Sequence, residues 1–457
     1  MAHLFLSAAH KSSGKTTATL GIAAALAARG LNVQTFKKGP DYIDPLWLKA
    51  ASGRACYNLD FHTQSTQEIR SSFAAHARAT DVALIEGNKG LYDGLDLHGS
   101  NSNAALARLL DAPVILVIDA RGMTRGIAPL ILGYQAFEPD IRITGVILNR
   151  LGGSRHEAKL RAVIEHYTSV PVVGALHEDP ALAIVERHLG LVPANEMGGA
   201  GERIARIADT VSRQVDLDRL LAIARTARVP EAPAVPAAAP ANTDVRIGVA
   251  RDPAFGFYYE GDLEALRAAG AEVRYFDTLA DQGLPEVDAL FIGGGFPETQ
   301  MMVLDRNAPM RAAIRNFVEQ GRPVYAECGG LMYLARSIAW RGEKREMVGA
   351  LPLDIEMTDR PVGRGYTRLR AGNHTLWGET PGTEIPAHEF HYSRPVNVAP
   401  ELRFAFEVAR GHGFDGARDG VMYKNVLANY CHLRHTAMNP WVTRFVGFVR
   451  RIVNRES

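Results

Sequence analysis

Short apolar runs alternate with amphipathic stretches through the first half of the chain. The runs are LFL (4–6), LNVQTFK (31–37), DVALIEG (81–87), PVILVID (113–119), ITGVILN (143–149) and VPVVGAL (170–176). Between them lie helical patterns such as TATLGIAAALAARG (17–30), NAALARLL (103–110) and RHEAKLRAVIEHY (155–167). Runs that stay apolar without alternating suit strands buried on both faces, and strands interleaved with helices predict a parallel sheet covered on both sides. The pattern breaks at RVPEAPAVPAAAPANTD (228–244), a Pro/Ala-rich, nearly uncharged segment that predicts an extended linker.

A new alternation then begins with the strand VRIGVARD (245–252), the helix GDLEALRAAG (261–270) and the strand AEVRYFD (271–277). It continues with the strand DALFIGGG (288–295), the helix APMRAAIRNFVEQG (308–321), the strand PVYAEC (323–328) and a helical LMYLARSI (331–338). The expectation is an α/β chain of two domains, 1–227 and 245–457, joined by 228–244, and 457 residues is more than one ordinary domain holds.

Composition narrows the function classes. Lys plus Arg total 51 against 50 for Asp plus Glu, so a net charge of +1 makes no electrostatic case for nucleic acid or an anionic membrane. Cys56, Cys328 and Cys431 form neither a disulfide framework nor a zinc knuckle. The N-terminus enters the first strand without a charged leader region, and no apolar stretch approaches the roughly 20 residues of a membrane helix. A cytoplasmic protein is the expectation.

The first strand leads into Ala9-x-x-x-x-Gly14-Lys15-Thr16 and then a helix, a P-loop with Ala where Gly is usual. Backbone N–H groups over Ser12, Ser13, Gly14 and Thr17 are expected to face ATP phosphates. Lys15 brings positive charge to them, and the Thr16 hydroxyl is a Mg²⁺ ligand. Glu86 ends an apolar strand, a position suited to holding Mg²⁺. Asp41 and Asp44 follow the second strand, where ligands of open parallel sheets sit, but Asp beside Pro is equally a turn signal. Asp93 in the Gly-rich loop after Glu86 is a candidate for orienting substrate or metal, whereas Asp96, His98 and Asn101 read better as solvated loop. Asn149, at a strand end, is either a reader of the nucleobase or a strand cap, and Asp119 is equally open.

In the second half, Cys328 sits where a strand meets Gly329-Gly330 and a helix. This is the setting of a nucleophile elbow, with a thiolate favoured by the helix start and the Gly329 N–H turned toward an oxyanion. Gly293-Gly294-Gly295 offers a second backbone donor, taken as Gly294. His432 in NVLANYCHLRHTAMNP (425–440) is the candidate base, with His435 nearby and Cys431 on the opposite, core side of the same run. No orienting acid is evident. Arg434 stands where a Glu would be natural, and Glu389 is a distant alternative.

Taken together, FKKGPDYIDP, ALIEGNKGLYDG, RHLGLVP, FIGGGFPE, AECGGLMYL, TDRPVGRGY, HEFHYS and NYCHL resemble the cobyrinic acid a,c-diamide synthases along nearly the whole chain. The resemblance implies a dethiobiotin synthetase-like P-loop domain followed by a class I-type glutamine amidotransferase domain. It implies that ATP activates a carboxylate as an acyl phosphate, and that Cys328 and His432 release ammonia from glutamine to displace the phosphate. It also implies that Asp41, Tyr42 and Ile43 lie at the synthetase site and substrate edge, and Glu86 and Asp93 at metal and substrate-activation positions. Thr16, Asp41 and Glu86 then form one Mg²⁺–phosphate arrangement. The missing triad Glu is itself a trait of that family.

The implied substrate is a modified tetrapyrrole amidated on peripheral acetates. Cobyrinate and siroheme are the first candidates, with Ni-sirohydrochlorin, or the several side chains amidated by cobyric acid synthase, as alternatives. His10-Lys11-Ser12-Ser13, Asn88-Lys89 and HLRHTAMNP depart from the corrinoid pattern and leave the identity of the tetrapyrrole open, while FKKGPDYIDP and EGNKGLYDGLDLHGSNSN resemble the siroheme branch. Lys11 and Lys89 suit a substrate rich in carboxylates. A homodimer is the candidate assembly. From another class, a P-loop regulatory or partition ATPase would carry a signature Lys at the position of His10 and has no use for a Cys–His half.

Overall fold

The computed structural model describes residues 1–182, 184, 186–187, 190–228 and 243–456. Most of the expected linker, 229–242, lies outside the described residues, as do His188 and Leu189 of RHLGLVP. The chain divides into two compact units, Met1–Pro236 and Ala237–Ser457.

The first unit is built on seven strands: β1 (His3–Ala8), β2 (Val33–Lys38), β3 (Tyr57–Leu59), β4 (Val82–Glu86), β5 (Val114–Asp119), β6 (Ile143–Leu151) and β7 (Val172–His177). They form one parallel sheet in the order β3-β2-β4-β1-β5-β6-β7. Helices α1 (Lys15–Ala28), α2 (Ile43–Ser52), α3 (Thr66–Ala77), α4 (Asn103–Leu109), α5 (Ile127–Phe137), α6 (Ser154–Tyr167), α7 (Ala200–Gln214) and α8 (Leu217–Ala224) surround it. Two short strands, β8 (Glu186–Arg187) and β9 (Gly190–Leu191), pair after β7.

The continuous apolar runs follow from this layering. Side chains alternate across a strand. Phe5, Ile85, Leu116 and Leu148 therefore enter one buried layer, while Leu4, Leu84, Ile115 and Ile147 enter the other. The strand order reverses beside β1, so the carboxyl ends of β1, β2 and β4 converge on one crevice.

The second unit opens with β10 (Val245–Ala250), α9 (Glu260–Ala268), β11 (Ala271–Phe276), β12 (Ala289–Ile292), α10 (Pro297–Arg306), α11 (Ala308–Glu319), β13 (Val324–Glu327) and α12 (Gly329–Leu334). It continues with β14 (Ser337–Trp340), β15 (Glu343–Glu346), β16 (Asp354–Met357), β17 (Gly363–Ala371), β18 (Glu384–His391), β19 (Ser393–Val396), β20 (Arg403–Arg410), β21 (Arg418–Tyr423) and β22 (Val426–Asn429), then α13 (Trp441–Glu456). The main sheet runs β11-β10-β12-β13-β22-β21-β20-β17-β18, parallel as far as β22 and antiparallel beyond it. A smaller sheet runs β15-β14-β16-β19.

Two local expectations change. The helix after Cys328 ends at Leu334, and Ser337–Trp340 is a strand. The strand carrying NVLAN stops at Asn429. His432 therefore lies beyond it, where its backbone exchanges hydrogen bonds with His388 (2.7 and 3.3 Å). Among the described residues no helix is long and apolar enough to cross a membrane.

Candidate active sites

In the first unit the chain leaves β1 at Ala8 and turns into α1 through Gly14. Gly14 sits at φ +83°, and a Cβ there would lie 1.9 Å from Asn149 Nδ2. The position therefore calls for glycine on both backbone and packing grounds. Asn149 Nδ2 donates to Ser13 O (2.8 Å). Arg150 Nη1 donates to Ser12 O (2.9 Å) and to Asp119 Oδ2 (2.8 Å). The end of β6 thus braces the turn before α1. This is a loop-holding contact for Asn149, where either a base reader or a strand cap was expected. Burial works against the Asp119 charge, but Arg121 and Arg150 hold its pKa at about 2. A cavity of about 360 Å³ opens beside Gly14, Thr17, Asn149 and Arg121.

Lys15 Nζ (3.0 Å), Thr16 Oγ1 (2.7 Å) and Lys37 Nζ (2.9 Å) all donate to one oxygen, Glu86 Oε1. Glu86 Oε2 is buried and without a hydrogen-bond partner. Burial opposes the charge of Glu86, yet Lys37 and Lys15 bring its pKa down to about 2. Thr16 Oγ1 also lies 3.4 Å from Asp44 Oδ2, which Lys37 contacts closely. For Asp44, burial and then Asp41 outweigh Lys37 and raise the pKa to about 7.

Of the two aspartates in this turn, Asp44 is the one within reach of Thr16. Asp41 turns its Oδ1 to the backbone N–H groups of Ile43 (2.9 Å) and Asp44 (3.1 Å) at the start of α2. Its Oδ2 stays 3.8 Å from Lys37 Nζ. Tyr42 is buried at the N-cap of α2, and Ile43 is its first residue. Asp93 Oδ2 accepts from Gly90 N (2.8 Å), closing the loop after β4.

In the second unit Cys328 occupies the junction of β13 and α12 at φ 45°, ψ −99°, a positive φ rare outside glycine. The two glycines after it let the turn nest against the end of β12. A Cβ on Gly330 would lie 2.0 Å from Ile292 O, and one on Gly329 3.0 Å from Gly295 N. Gly294 lies against the His432 ring, where a Cβ would come within 2.6 Å of Cε1. Cys328 is 7% exposed and His432 4%. The two side chains are close enough for Cys328 to raise the His432 pKa.

His432 Nδ1 lies 3.1 Å from Glu327 Oε2. The other oxygen, Glu327 Oε1, accepts from Tyr325 OH (2.5 Å) and Leu433 N (3.0 Å). Burial disfavours charge on His432, but Cys328 and Glu327 outweigh it and raise the pKa to about 10. The arrangement sets a nucleophile, a base and an orienting acid side by side, with the base hydrogen-bonded to the acid.

The other candidates stand apart from this line. Glu389 accepts from His412 N and Gly413 N (both 2.7 Å). The Arg434 guanidinium stacks 4.9 Å from the centre of the Tyr259 ring. His435 N donates to Asp262 Oδ1 (2.9 Å). Cys431 is fully buried, and burial pushes its thiol pKa well up.

Two family descriptions match the two units. Residues 7–192 match the CobQ/CobB/MinD/ParA nucleotide binding domain, and residues 246–440 the CobB/CobQ-like glutamine amidotransferase domain. A Magnetococcus marinus protein named cobyrinate a,c-diamide synthase is 46% identical over 453 residues, covering 98% of this chain and 97% of that one. The chain belongs to the cobyrinate a,c-diamide synthase family.

Proteins of that name from Methanosarcina acetivorans (41% identical, 95% of this chain and 92% of that one) and Syntrophotalea carbinolica (41%, 98% of each) are similar over comparable lengths. As a cobyrinate a,c-diamide synthase family member, the chain is an ATP-dependent ligase that takes nitrogen from glutamine. The expected P-loop synthetase fold and amidotransferase fold are both present, and the regulatory-ATPase alternative is set aside.

Sequence reasoning in this family member missed Glu327 and Lys37, and left Asp44 open between a ligand and a turn residue. Glu327 immediately precedes the nucleophile, and neighbours on a straight strand face opposite sides. The sharp backbone turn at Cys328 breaks that alternation and lets both side chains meet one imidazole. A Lys closing an apolar strand-like run, next to an Asp-rich turn, was the available signal for the Lys37–Asp44 pair.

Proposed function

We propose that this chain converts peripheral acetate carboxylates of a modified tetrapyrrole into amides, spending ATP to activate each carboxylate and glutamine to supply ammonia. The observation that carries the reading is the occurrence, in one chain, of the Cys328–His432–Glu327 line and the Lys15–Thr16–Glu86 cluster. The first arrangement liberates ammonia, and the second manages a phosphoryl group that ammonia can displace. The name shared by the whole-length relatives supports a tetrapyrrole acid as substrate. In this reading 1–227 is the synthetase domain, 228–244 the linker and 245–457 the amidotransferase domain.

In the synthetase domain, backbone N–H groups of Ser12, Ser13 and Gly14, with Thr17, receive the phosphates. The cavity beside Asn149 receives the base. Lys15 exchanges Glu86 for the β- and γ-phosphate oxygens. A substrate carboxylate oxygen attacks the γ-phosphorus, ADP leaves, and an acyl phosphate remains. Ammonia attacks the acyl carbon and inorganic phosphate departs. Tyr42, Ile43, Asp41 and Asp93 border the substrate.

The oxygen donors Thr16 Oγ1, Glu86 and Asp44 suit a hard cation, and the unpartnered Glu86 Oε2 is an open ligand atom, so this set fits Mg²⁺. Bound there, Mg²⁺ would neutralise charge on the phosphates.

In the amidotransferase domain, Cys328 Sγ attacks the glutamine carboxamide. Amide N–H groups at Gly294 and Gly329 steady the oxyanion. The protonated His432 hands its proton to the departing ammonia. It then takes a proton from the water that hydrolyses the thioester to glutamate.

The test incubates the protein with ATP, Mg²⁺, glutamine and, separately, cobyrinate, siroheme and sirohydrochlorin with and without nickel. Mass spectrometry counts replacements of OH by NH₂. No mass change with any of them would remove the tetrapyrrole reading. Cobyrinate is the acid in the relatives' name, while FKKGPDYIDP and EGNKGLYDGLDLHGSNSN resemble the siroheme branch, and the panel decides between them. Cys328→Ala should abolish glutamine-dependent amidation and still form product from ammonium salts. Equal loss with both nitrogen sources would refute the division of labour.

A further inference from the structure

The end of β2 carries two consecutive lysines whose surroundings differ sharply. Lys37 is matched by Glu86, Asp44 and the Gly87 carbonyl. Lys38 points to the opposite side of the strand. It is only 4% exposed, and its ammonium donates to a single neutral acceptor, Asn88 Oδ1, at 3.1 Å. An ammonium has three donors, and a buried charge calls for a counter-charge. Among the described residues no carboxylate lies within ion-pair distance of Lys38. Burial lowers its pKa to about 8; Asp60 opposes the shift, and Lys37 and Lys89 add to it.

The acceptor is held firmly. Asn88 N donates to Asn103 Oδ1 (3.1 Å), and Asn103 Nδ2 reaches the carbonyls of Asn88 and Gly90 (2.8 Å to the latter) and Ser7 Oγ (3.1 Å). The next residue, Lys89, is exposed and sits at φ 41°, a strained conformation for a lysine. Strain kept on a pinned loop points to a site that uses it. Two cations and an amide are thus gathered at the carboxyl ends of β2 and β4, beside the phosphate crevice.

We propose that Lys38, Asn88 and Lys89 form a carboxylate-binding subsite that holds a second, unreacting side-chain carboxylate of the substrate. This rests on the reading of the substrate as a polycarboxylic tetrapyrrole. The subsite adds a positioning contact distinct from the residues that touch the phosphates. A carboxylate seated there supplies a charged acceptor in direct contact with Lys38, and by holding one side chain it selects which acetate reaches the γ-phosphate.

The experiment is a substrate–variant cycle on whichever tetrapyrrole the wild type amidates, run with the free acid and with its propionate methyl ester. On the acid, Lys38→Met should raise the tetrapyrrole KM by about tenfold, the worth of one charge-assisted hydrogen bond. The KM for ATP should move less than twofold. On the ester, wild type and Lys38→Met should converge, because the partner of Lys38 is gone. Lys89→Ser, at an exposed position, should show a smaller effect of the same pattern and carries the test if Lys38→Met folds poorly. Equal KM values on the acid, or a gap that persists on the ester, would overturn the subsite. Turnover of no tetrapyrrole by the wild type would overturn the substrate reading, and the subsite with it.

Discussion

Glu327→Gln removes one negative charge and preserves the shape of the side chain. In the wild type, Glu327 Oε2 lies 3.1 Å from His432 Nδ1, with both residues almost fully buried. A hydrogen bond to a charged partner contributes about 1.5–3 kcal/mol. Against the effect of burial, Glu327 is also one of the two partners, with Cys328, that raise the His432 pKa to about 10. A loss of roughly 2–3 kcal/mol is about a hundredfold in rate. Glutaminase kcat/KM, read as glutamate release, should therefore fall about a hundredfold. The sign of the pH effect follows from a raised pKa. The proton on His432 is fully held below 6.5 and lost as pH rises through about 10. Without the carboxylate it is lost at lower pH, so the alkaline limb of the glutaminase profile should move to lower pH. Ammonium-supported amidation, chemistry of the first unit, serves as the control. A kcat/KM within threefold of wild type and an unmoved alkaline limb would refute the orienting role.

Three further outcomes follow from the same geometry. Gly14→Ala must place a Cβ 1.9 Å from Asn149 Nδ2 at φ +83°, so the upward shift in melting temperature that saturating ATP gives the wild type should vanish. Gly330→Ala drives a Cβ to 2.0 Å from the Ile292 carbonyl; the elbow has to shift, and both the urea midpoint and alkylation of Cys328 by iodoacetamide should change together. Asp44 has its pKa raised to about 7, so the fold favours its protonated form, and the stabilisation is greatest below 3.8 and lost as pH rises through 7. Asp44→Asn should therefore flatten the dependence of the urea midpoint on pH between those limits, and an unchanged slope would show that Asp44 is not the titrating group.

What the sequence made legible follows strand and helix periodicity closely. The six apolar runs of the first half became β1, β2, β4, β5, β6 and β7, because burial on both faces leaves no room for polar alternation. The edge strand β3 was missed, since three residues carry too little pattern. The antiparallel half of the second sheet was missed for a different reason. Strands such as β17 and β20 expose one face, and their alternation of Arg and Glu with apolar residues resembles loop when read for buried runs. The LMYLARSI stretch was read as one helix, although the chain leaves α12 after Leu334 and pairs Ser337–Trp340 with β15 and β16.

The sites divide along the same physical line. Lys15, Thr16, Glu86, Cys328 and His432 follow motifs whose backbone course is implied by the elements on either side, so a strand-end position already says where the side chain goes. Asp41 and Asp44 occupy one turn, where two aspartates three apart compete to cap α2. The backbone N–H groups of Ile43 and Asp44 claimed Asp41, and that left Asp44 to face Lys37 and Thr16. Glu327 needed a left-handed backbone at Cys328 before it could share an imidazole with its neighbour. In both places the decisive fact is a break in periodicity, whose direction depends on which backbone donor or close glycine contact the fold offers. That is why the missing acid of the second site lies one residue from the nucleophile, at a separation that strand alternation argues against.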